Sequence, residues 1–345
     1  MSDRPEPGPG QAGLGSPADA EAADWMARCV ARAYLPPDSL ETPWLELVHS
    51  RQHLYSATEE WRAQWSGGER RLFLKRYDNR FLRGADAERH LRDEYEALTE
   101  LWPLFQPLEG LAVPRPLGQR PGHGQLLMEK APGEGLDHLV RRYPLRRVSL
   151  VRGAVWRMGA WLATLHRATA GIAPAQVGLA RLLEELERDA PLCEQAGVPA
   201  GLVRRAAELV RRAAPSLLAS APAVGCHGDL GPGNVLATED GISVIDFTFY
   251  RPGSALHDLE FFLASLEYLL GPRFTPDLRQ RLLDGYRRGY PLDLEALRCV
   301  RVAKMLTLVG WSPALQRGGN LRTRLRRVLK LAFVSGWLYR TLPRD

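Results

Sequence analysis

Three side chains past the middle of the chain have the types and the spacing for phosphoryl transfer. In the run Cys226-His227-Gly228-Asp229-Leu230-Gly231-Pro232-Gly233-Asn234, the carboxylate of Asp229 is followed five positions later by the amide of Asn234. A second carboxylate, Asp246, stands twelve positions further on in Val244-Ile245-Asp246-Phe247. Transfer to an alcohol calls for a carboxylate that accepts or orients the proton of the acceptor hydroxyl, and for hard oxygen ligands that hold magnesium against the nucleotide phosphates. Magnesium takes few protein oxygens and keeps much of its water, so one amide and one carboxylate, Asn234 and Asp246, suit it. Taken alone, the glycines and proline of this run would describe only a turn.

The elements that must carry these groups are legible from periodicity. Asn234–Ala237 and Ile242–Phe247 read as two short strands joined by Glu239-Asp240-Gly241, and an Asp-Gly step between alternating strands is a hairpin signal. Upstream, Ala20–Tyr34 has helical spacing and Pro36-Pro37 stops it. Trp44–His49 and Trp61–Trp65 read as strands, and Gly67-Gly68 turns the chain into Arg71–Arg76, which carries Lys75. Ala85–Trp102 is helical, with Leu91, Tyr95, Leu98 and Leu101 in a stripe beside Glu94. Val113–Gly118 reads as an extended, proline-held connector and Gln125–Lys130 as a last strand. Pro132-Gly133-Glu134-Gly135 then reads as a linker, beyond which helices dominate.

With these elements in place, the sequence resembles the protein-kinase-like superfamily, specifically its aminoglycoside phosphotransferase and choline kinase branch. His227–Asn234 and Asp246-Phe247 carry the resemblance, and that branch typically has Gly after the His where protein kinases have Arg. It implies an α+β, protein-kinase-like two-lobed fold: a small N-lobe with an antiparallel sheet plus one long helix, and a larger, mainly helical C-lobe, with ATP bound at the hinge. It implies Asp229 as catalytic base, Asn234 and Asp246 as Mg2+ ligands, and His227 as structural anchor of the catalytic loop. Asp258 matches an acidic residue that is more often structural than catalytic. Lys75 matches the lysine that grips the α- and β-phosphates, Glu94 the helix glutamate that pairs with it, and Glu129 to Ala131 the hinge backbone that receives adenine. The chain departs from the pattern at several places. Ser50–Glu60 contains no glycine, which leaves phosphate clamping to hydroxyls such as Ser56 and Thr58 or to other amides. Gly231 stands where relatives often have His or Lys, Thr248 follows Phe247, and no Ala-Pro-Glu follows Asp246.

Length and composition set the frame. At 345 residues, 45% apolar and 25% charged, the chain suits two globular lobes and excludes fibrous or wholly unfolded classes. The expected division is a disordered leader at residues 1–23, rich in Pro, Gly and Ala, an N-lobe at 24–131 and a C-lobe at 132–345. Four well-separated cysteines support neither a zinc site nor a disulfide framework, and no apolar run reaches the roughly 18 residues that cross a bilayer. A cytoplasmic protein is expected.

The net charge of +6 is local: from Arg317 to the end, eight basic residues face one carboxylate, giving +7, and the rest sums to about −1. In that tail Leu321, Leu325, Val328, Leu329 and Ala332 share one helical face, which reads as a terminal helix docked on the large lobe in preference to a weak contact with an anionic membrane surface. No nucleic-acid motif is present. The expected activity is ATP- and Mg2+-dependent transfer to a hydroxyl of a small molecule, a sugar, amino alcohol or aminoglycoside-like compound. The alternatives are a kinase of a protein or of a lipopolysaccharide-core sugar, or a nucleotide-binding protein without turnover. The sequence leaves the oligomeric state open.

Overall fold

Alternating burial along two adjacent strands underlies the sheet that carries Lys75. The structure, a computed structural model, describes residues 17–52, 56–77, 85–174, 176–218, 222–312 and 321–342. Its contacts divide the chain into a first unit, Met1–Tyr95 with Arg115–Lys130, and a second, Glu96–Pro114 with Ala131–Asp345.

The first unit contains α1 (Pro17–Tyr34), β1 (Trp44–Gln52), β2 (Ala57–Trp65), β3 (Gly68–Arg76) and the start of α2 (Ala85–Phe105). After β4 (Leu111–Ala112), which belongs to the second unit, it closes with β5 (Pro116–Arg120) and β6 (Gln125–Glu129). All pairings in the resulting sheet, ordered β1-β2-β3-β6-β5, are antiparallel. Trp61 and Ala63 of β2, Leu72 and Leu74 of β3 and Leu127 of β6 point to one face and are buried under Met26, Cys29 and Val30 of α1. The period of two in the strands and the helical spacing in α1 meet at this core.

In the second unit, β7 (Glu134–Gly135) leads into α3 (Leu136–Arg141), α4 (Val148–Ala168), α5 (Gln176–Ala196) and α6 (Ala200–Leu218). Next come β8 (Ala223–Cys226), β9 (Val235–Ala237), β10 (Ile242–Val244) and β11 (Arg251–Ser254), and then α7 (Ala255–Leu270), α8 (Pro276–Arg287), α9 (Leu294–Gly310) and α10 (Leu321–Thr341). The short strands form one sheet ordered β4-β10-β9-β7 and a separate β11-β8 pair. Helices α4 and α8 cross at glycines: a Cβ on Gly159 would lie 2.1 Å from the Leu282 carbonyl oxygen, and one on Gly285 2.1 Å from that of Trp156. Only two backbones without side chains at the crossing can approach so closely.

The division differs from the sequence reading in three places. Residues 96–114 go with the second unit, because Phe105 stacks on Trp161 at 4.8 Å and β4 pairs with β10. Pro132–Gly135, read as a linker, contributes β7, whose pairing with β9 ties it to the second unit, and the boundary falls after Lys130. The proposed leader is helical from Pro17 onward, and residues 1–16 lie outside the described residues.

The terminal helix docks through a different face from the one expected. Val334, Trp337, Leu338 and Leu342 are buried, whereas Leu325, Val328 and Leu329 are 57%, 61% and 61% exposed. Trp337 decides the rotation, since its ring is buried and its indole N–H donates to Glu267 Oε1 at 2.9 Å. Arg327 donates to the Ala196 carbonyl and Lys330 to that of Tyr268, so part of the tail's charge is spent on backbone oxygens. No helix among the described residues is long and apolar enough to cross a membrane.

Candidate active site

The machinery in the first unit rests on neighbouring elements. Strand β3 carries Lys75 and the following helix α2 carries Glu94, and Lys75 Nζ donates to Glu94 Oε2 at 2.7 Å with both residues buried. The Tyr77 hydroxyl donates to the same oxygen, and the Lys75 ammonium lies 4.9 Å from the Tyr77 ring centroid. Tyr77, two residues beyond Lys75, was missed in the sequence, where nothing but its period-two spacing marked it. Thr58, expected in a loop over the phosphates, lies inside β2 and pairs in register with Lys75. It is buried there because the sheet runs longer than the apolar alternation suggested. Ser56 immediately precedes β2, and residues 53–55, in the same stretch, lie outside the described residues.

Glu129 ends β6. Its carboxylate accepts from the Tyr34 hydroxyl and lies 3.7 Å from Arg115 Nη1, while its backbone N–H donates to the Arg115 carbonyl. The Lys130 N–H is likewise taken, by Arg71 O, but among the described residues no hydrogen bond engages the Ala131 N–H.

In the second unit, Asp229, Asn234, Asp246 and His227 are knit together through the backbone. Asn234 Nδ2 donates to the Asp229 carbonyl at 2.8 Å, and a carbonyl only accepts, so the amide nitrogen faces the loop and Oδ1 is turned away from it. The Asn234 carbonyl accepts from Ile245 N–H at 3.0 Å, and the Ile245 carbonyl meets His227 Nε2 at 2.9 Å. The proton is therefore on Nε2 of a fully buried imidazole, and Nδ1 faces the Asp229 N–H at 3.4 Å.

Asp258, at the start of α7, receives the His227 N–H at 2.6 Å and the Gly228 N–H at 3.0 Å. Burial pushes its carboxyl up, but His166, His227 and the Gly228 amide outweigh this and hold it below the usual range. Gly228 has φ +89°, and a Cβ there would sit 2.3 Å from the Phe249 carbonyl oxygen, so the loop closes only around a glycine.

Asp246 has φ +68°, a left-handed conformation that costs a non-glycine residue about 1 to 3 kcal/mol and that Asp tolerates better than most. It turns the side chain out of the hairpin's alternation, and Thr248 Oγ1 donates to its Oδ1 at 2.7 Å. Thr248, which sequence reading noted only as a departure from glycine, thus orients Asp246. The Asp229 carboxyl keeps a solvent-facing side, yet the protein around it removes enough water to push it up to about 6. The His227 side opposes the shift, and the charges of Asp246 and Asp258 add to it. Such a carboxylate can hold a proton near neutrality, as a base for a hydroxyl must.

The donor set fits a magnesium ion. Asn234 and Asp246 offer hard oxygens, and Asn234 Oδ1 is turned away from the loop that its amide nitrogen engages.

Behind the loop lies a buried charge network that the sequence did not disclose. Lys304 of α9 pairs with Glu185 of α5, Arg181 Nε donates to Glu185 Oε1 at 3.0 Å, and His257 Nε2 lies 3.1 Å from Arg181 Nη2 and 3.4 Å from Lys304 Nζ. Burial and the two flanking cations hold His257 well below its usual range, so it is neutral. It precedes Asp258 in the chain. Glu185 lies in the run from Leu182 to Glu187 of α5, whose exposed members are Glu184 and Glu187.

Comparison with known proteins places the chain. The model of the phosphotransferase enzyme family matches residues 55–296, well over half of the sequence, and the chain belongs to that family. Ethanolamine kinase from Plasmodium vivax is similar at a TM-score of 0.53 and 12% identity, covering 93% of this chain and 89% of that one. Choline kinase from Cryptosporidium parvum gives 0.53 and 13%, covering 90% and 98%. A choline/ethanolamine kinase family protein from Mesorhizobium loti gives 0.51 and 16%, covering 91% and 99%. At these identities the likeness is one of fold, the two-lobed α+β kinase-like architecture. No curated protein sequence matches the chain.

Proposed function

We propose that this phosphotransferase moves the γ-phosphate of ATP to a hydroxyl of a small molecule. What supports the reading most is that Asp229, Asn234 and Asp246, scattered over eighteen positions, are linked into one cluster by the Asn234–Asp229 and Ile245–Asn234 hydrogen bonds. Asp229 takes the proton of the acceptor hydroxyl. His227, fixed as the Nε2–H tautomer, and Asp258, which accepts two loop amides, keep Asp229 in place. Lys75, held by Glu94 and Tyr77, carries the positive charge for the phosphates, and the backbone from Glu129 to Ala131 receives the adenine. Asn234 Oδ1 and Asp246 would hold magnesium, which when bound neutralises charge developing on the phosphates.

The three structures compared above are named as choline and ethanolamine kinases or their family, so amino alcohols head the acceptor panel, followed by sugars.

The test is transfer of labelled phosphate from ATP across that panel, separating small-molecule from protein product, with wild type and Asp229→Ala. Wild type should label a small molecule, and Asp229→Ala should lose transfer by about 10²- to 10⁴-fold with nucleotide binding retained. Near wild-type transfer by Asp229→Ala would refute the assignment, and label appearing on protein alone would refute the acceptor class.

A further inference from the structure

A cavity of about 500 Å³ lies among α8, α9 and α10, and none of the groups assigned to phosphate transfer lines it. Five arginines do: Arg279 and Arg287 from α8, Arg298 and Arg301 from α9, and Arg340 from the last turn of α10. No carboxylate is among its lining residues. Glu260 of α7, fully buried, lies close to two of them, with Oε1 4.0 Å from Arg279 Nη2 and Oε2 3.9 Å from Arg301 Nε. Neither oxygen has a hydrogen-bond partner among the described residues. Burial pushes this carboxyl up to about 8, against the pull of Arg301 and with the help of Glu267, so around neutrality it does little to balance the guanidiniums beside it.

The fold itself accounts for two of the five. Arg298 donates to the Thr341 carbonyl at 2.6 Å, closing the C-terminal end of α10 where a cation suits the helix dipole. Arg301 pairs with Glu267 and lies 5.4 Å from the Trp337 ring centroid. Arg279, Arg287 and Arg340 have no carboxylate at hydrogen-bond distance among the described residues, and Arg287 and Arg340 are solvent-exposed.

Gathering like charges around one cavity costs Coulomb energy that an anion recovers. The cavity volume suits a small ligand. Its walls are set in advance: α8 is locked to α4 by the glycine crossing, and α9 is capped by Asp293, whose carboxylate accepts from Glu295 and Ala296 N–H. Guanidiniums carried on fixed helices are suited to phosphate oxygens, which a guanidinium can meet in a bidentate manner.

We propose that this pocket binds a compact polyanion bearing two or more phosphate groups, held by Arg279, Arg287 and Arg340. The test titrates inorganic tripolyphosphate into the full-length chain in EDTA, by calorimetry. Wild type is compared with Arg287→Glu/Arg340→Glu and with a control carrying the same charge change on α6, Arg204→Glu/Arg212→Glu. Saturable binding is expected to weaken by at least about tenfold in the pocket variant, the loss of two charge-assisted contacts, and by less than about twofold in the control. Arg287→Gln/Arg340→Gln, measured beside them, should show the same direction of loss with an unchanged melting temperature, which guards against damage to α10. A parallel titration with a hexose bisphosphate separates chained from spaced phosphates, and tighter binding of either, lost in the pocket variants, supports the site. Equal affinities in all proteins, equal weakening in pocket and control variants, or no saturable binding would overturn the proposal.

Discussion

Among the described residues each unit contains one buried Lys–Glu pair, and the two pairs teach opposite lessons. In the first unit Lys75 and Glu94 come from consecutive elements, 19 residues apart, and Lys75 keeps 8% of its surface exposed. In the second, Lys304 and Glu185 are 119 residues apart on α9 and α5, and Lys304 is 1% exposed. Glu94 is held by a lysine and a tyrosine hydroxyl, one cation and one neutral donor. Glu185 is held by Lys304 and Arg181, with His257 wedged against both cations, so its charge is consumed internally. Burial pushes the Glu185 carboxyl up, but the two cations outweigh this and keep it ionised. On the proposed function, the same chemistry positions a phosphate-binding lysine in one unit and braces a loop in the other, and what decides between them is the company each pair keeps.

Substitutions at the two lysines should separate these roles. Lys304→Met should cost about 3–5 kcal/mol of unfolding free energy in urea, because it strands a buried carboxylate, and adding Glu185→Met should recover most of the loss. A single variant within about 1 kcal/mol of wild type would break the comparison. Lys75→Met should instead reduce phosphate transfer by about 10²- to 10³-fold, while Glu94, still bonded by the Tyr77 hydroxyl, keeps the loss of stability smaller than that of Lys304→Met. If it unfolded the protein as Lys304→Met does, both pairs would be braces.

Glu260 is the intermediate case, a buried carboxylate that has Arg279 and Arg301 near it but bonds neither, with Glu267 adding repulsion. Its folded value of about 8 lies above the ordinary 4.5, so the folded state binds the extra proton in between. Its contribution to stability is full below about 4.5 and is lost as pH rises through 8. Glu260→Gln should flatten the fall in melting temperature between pH 5 and pH 9 and melt higher at the alkaline end, and an unchanged slope would show that another group titrates. The smallest effect is expected from Tyr77→Phe. Glu94 keeps Lys75 but loses a hydroxyl donor, so kcat/KM should fall by roughly tenfold or less, about 1 kcal/mol. A loss as large as that of Lys75→Met would make the hydroxyl an equal partner.

Legibility followed locality. Lys75 and Glu94 could be read because strand and helix adjoin, and Asp229, Asn234 and Asp246 because a loop and a hairpin hold them within a short stretch. Lys304, Glu185 and Arg181 could not, since nothing in a sequence brings α5 to α9. Strands of two to four residues, such as β4, β7, β8 and β11, carry no usable alternation, which is why Pro132–Gly135 read as a linker. On α10 the stripe from Leu321 to Ala332 has helical spacing, but Trp337 and Leu338 near its end bury more surface and set the rotation. The left-handed backbone of Asp246 had no signal at all, since aspartate is common in ordinary strands' ends and turns.

The close approach at Gly228 limits how this chain can change. Any side chain at that position would strike the Phe249 carbonyl, and the positive φ would strain it further. The arginine that protein kinases carry after their histidine therefore cannot be reached from here by a single replacement. The segment around Phe249 would have to move first, so the loop's sequence is tied to the course of a backbone twenty-one positions away.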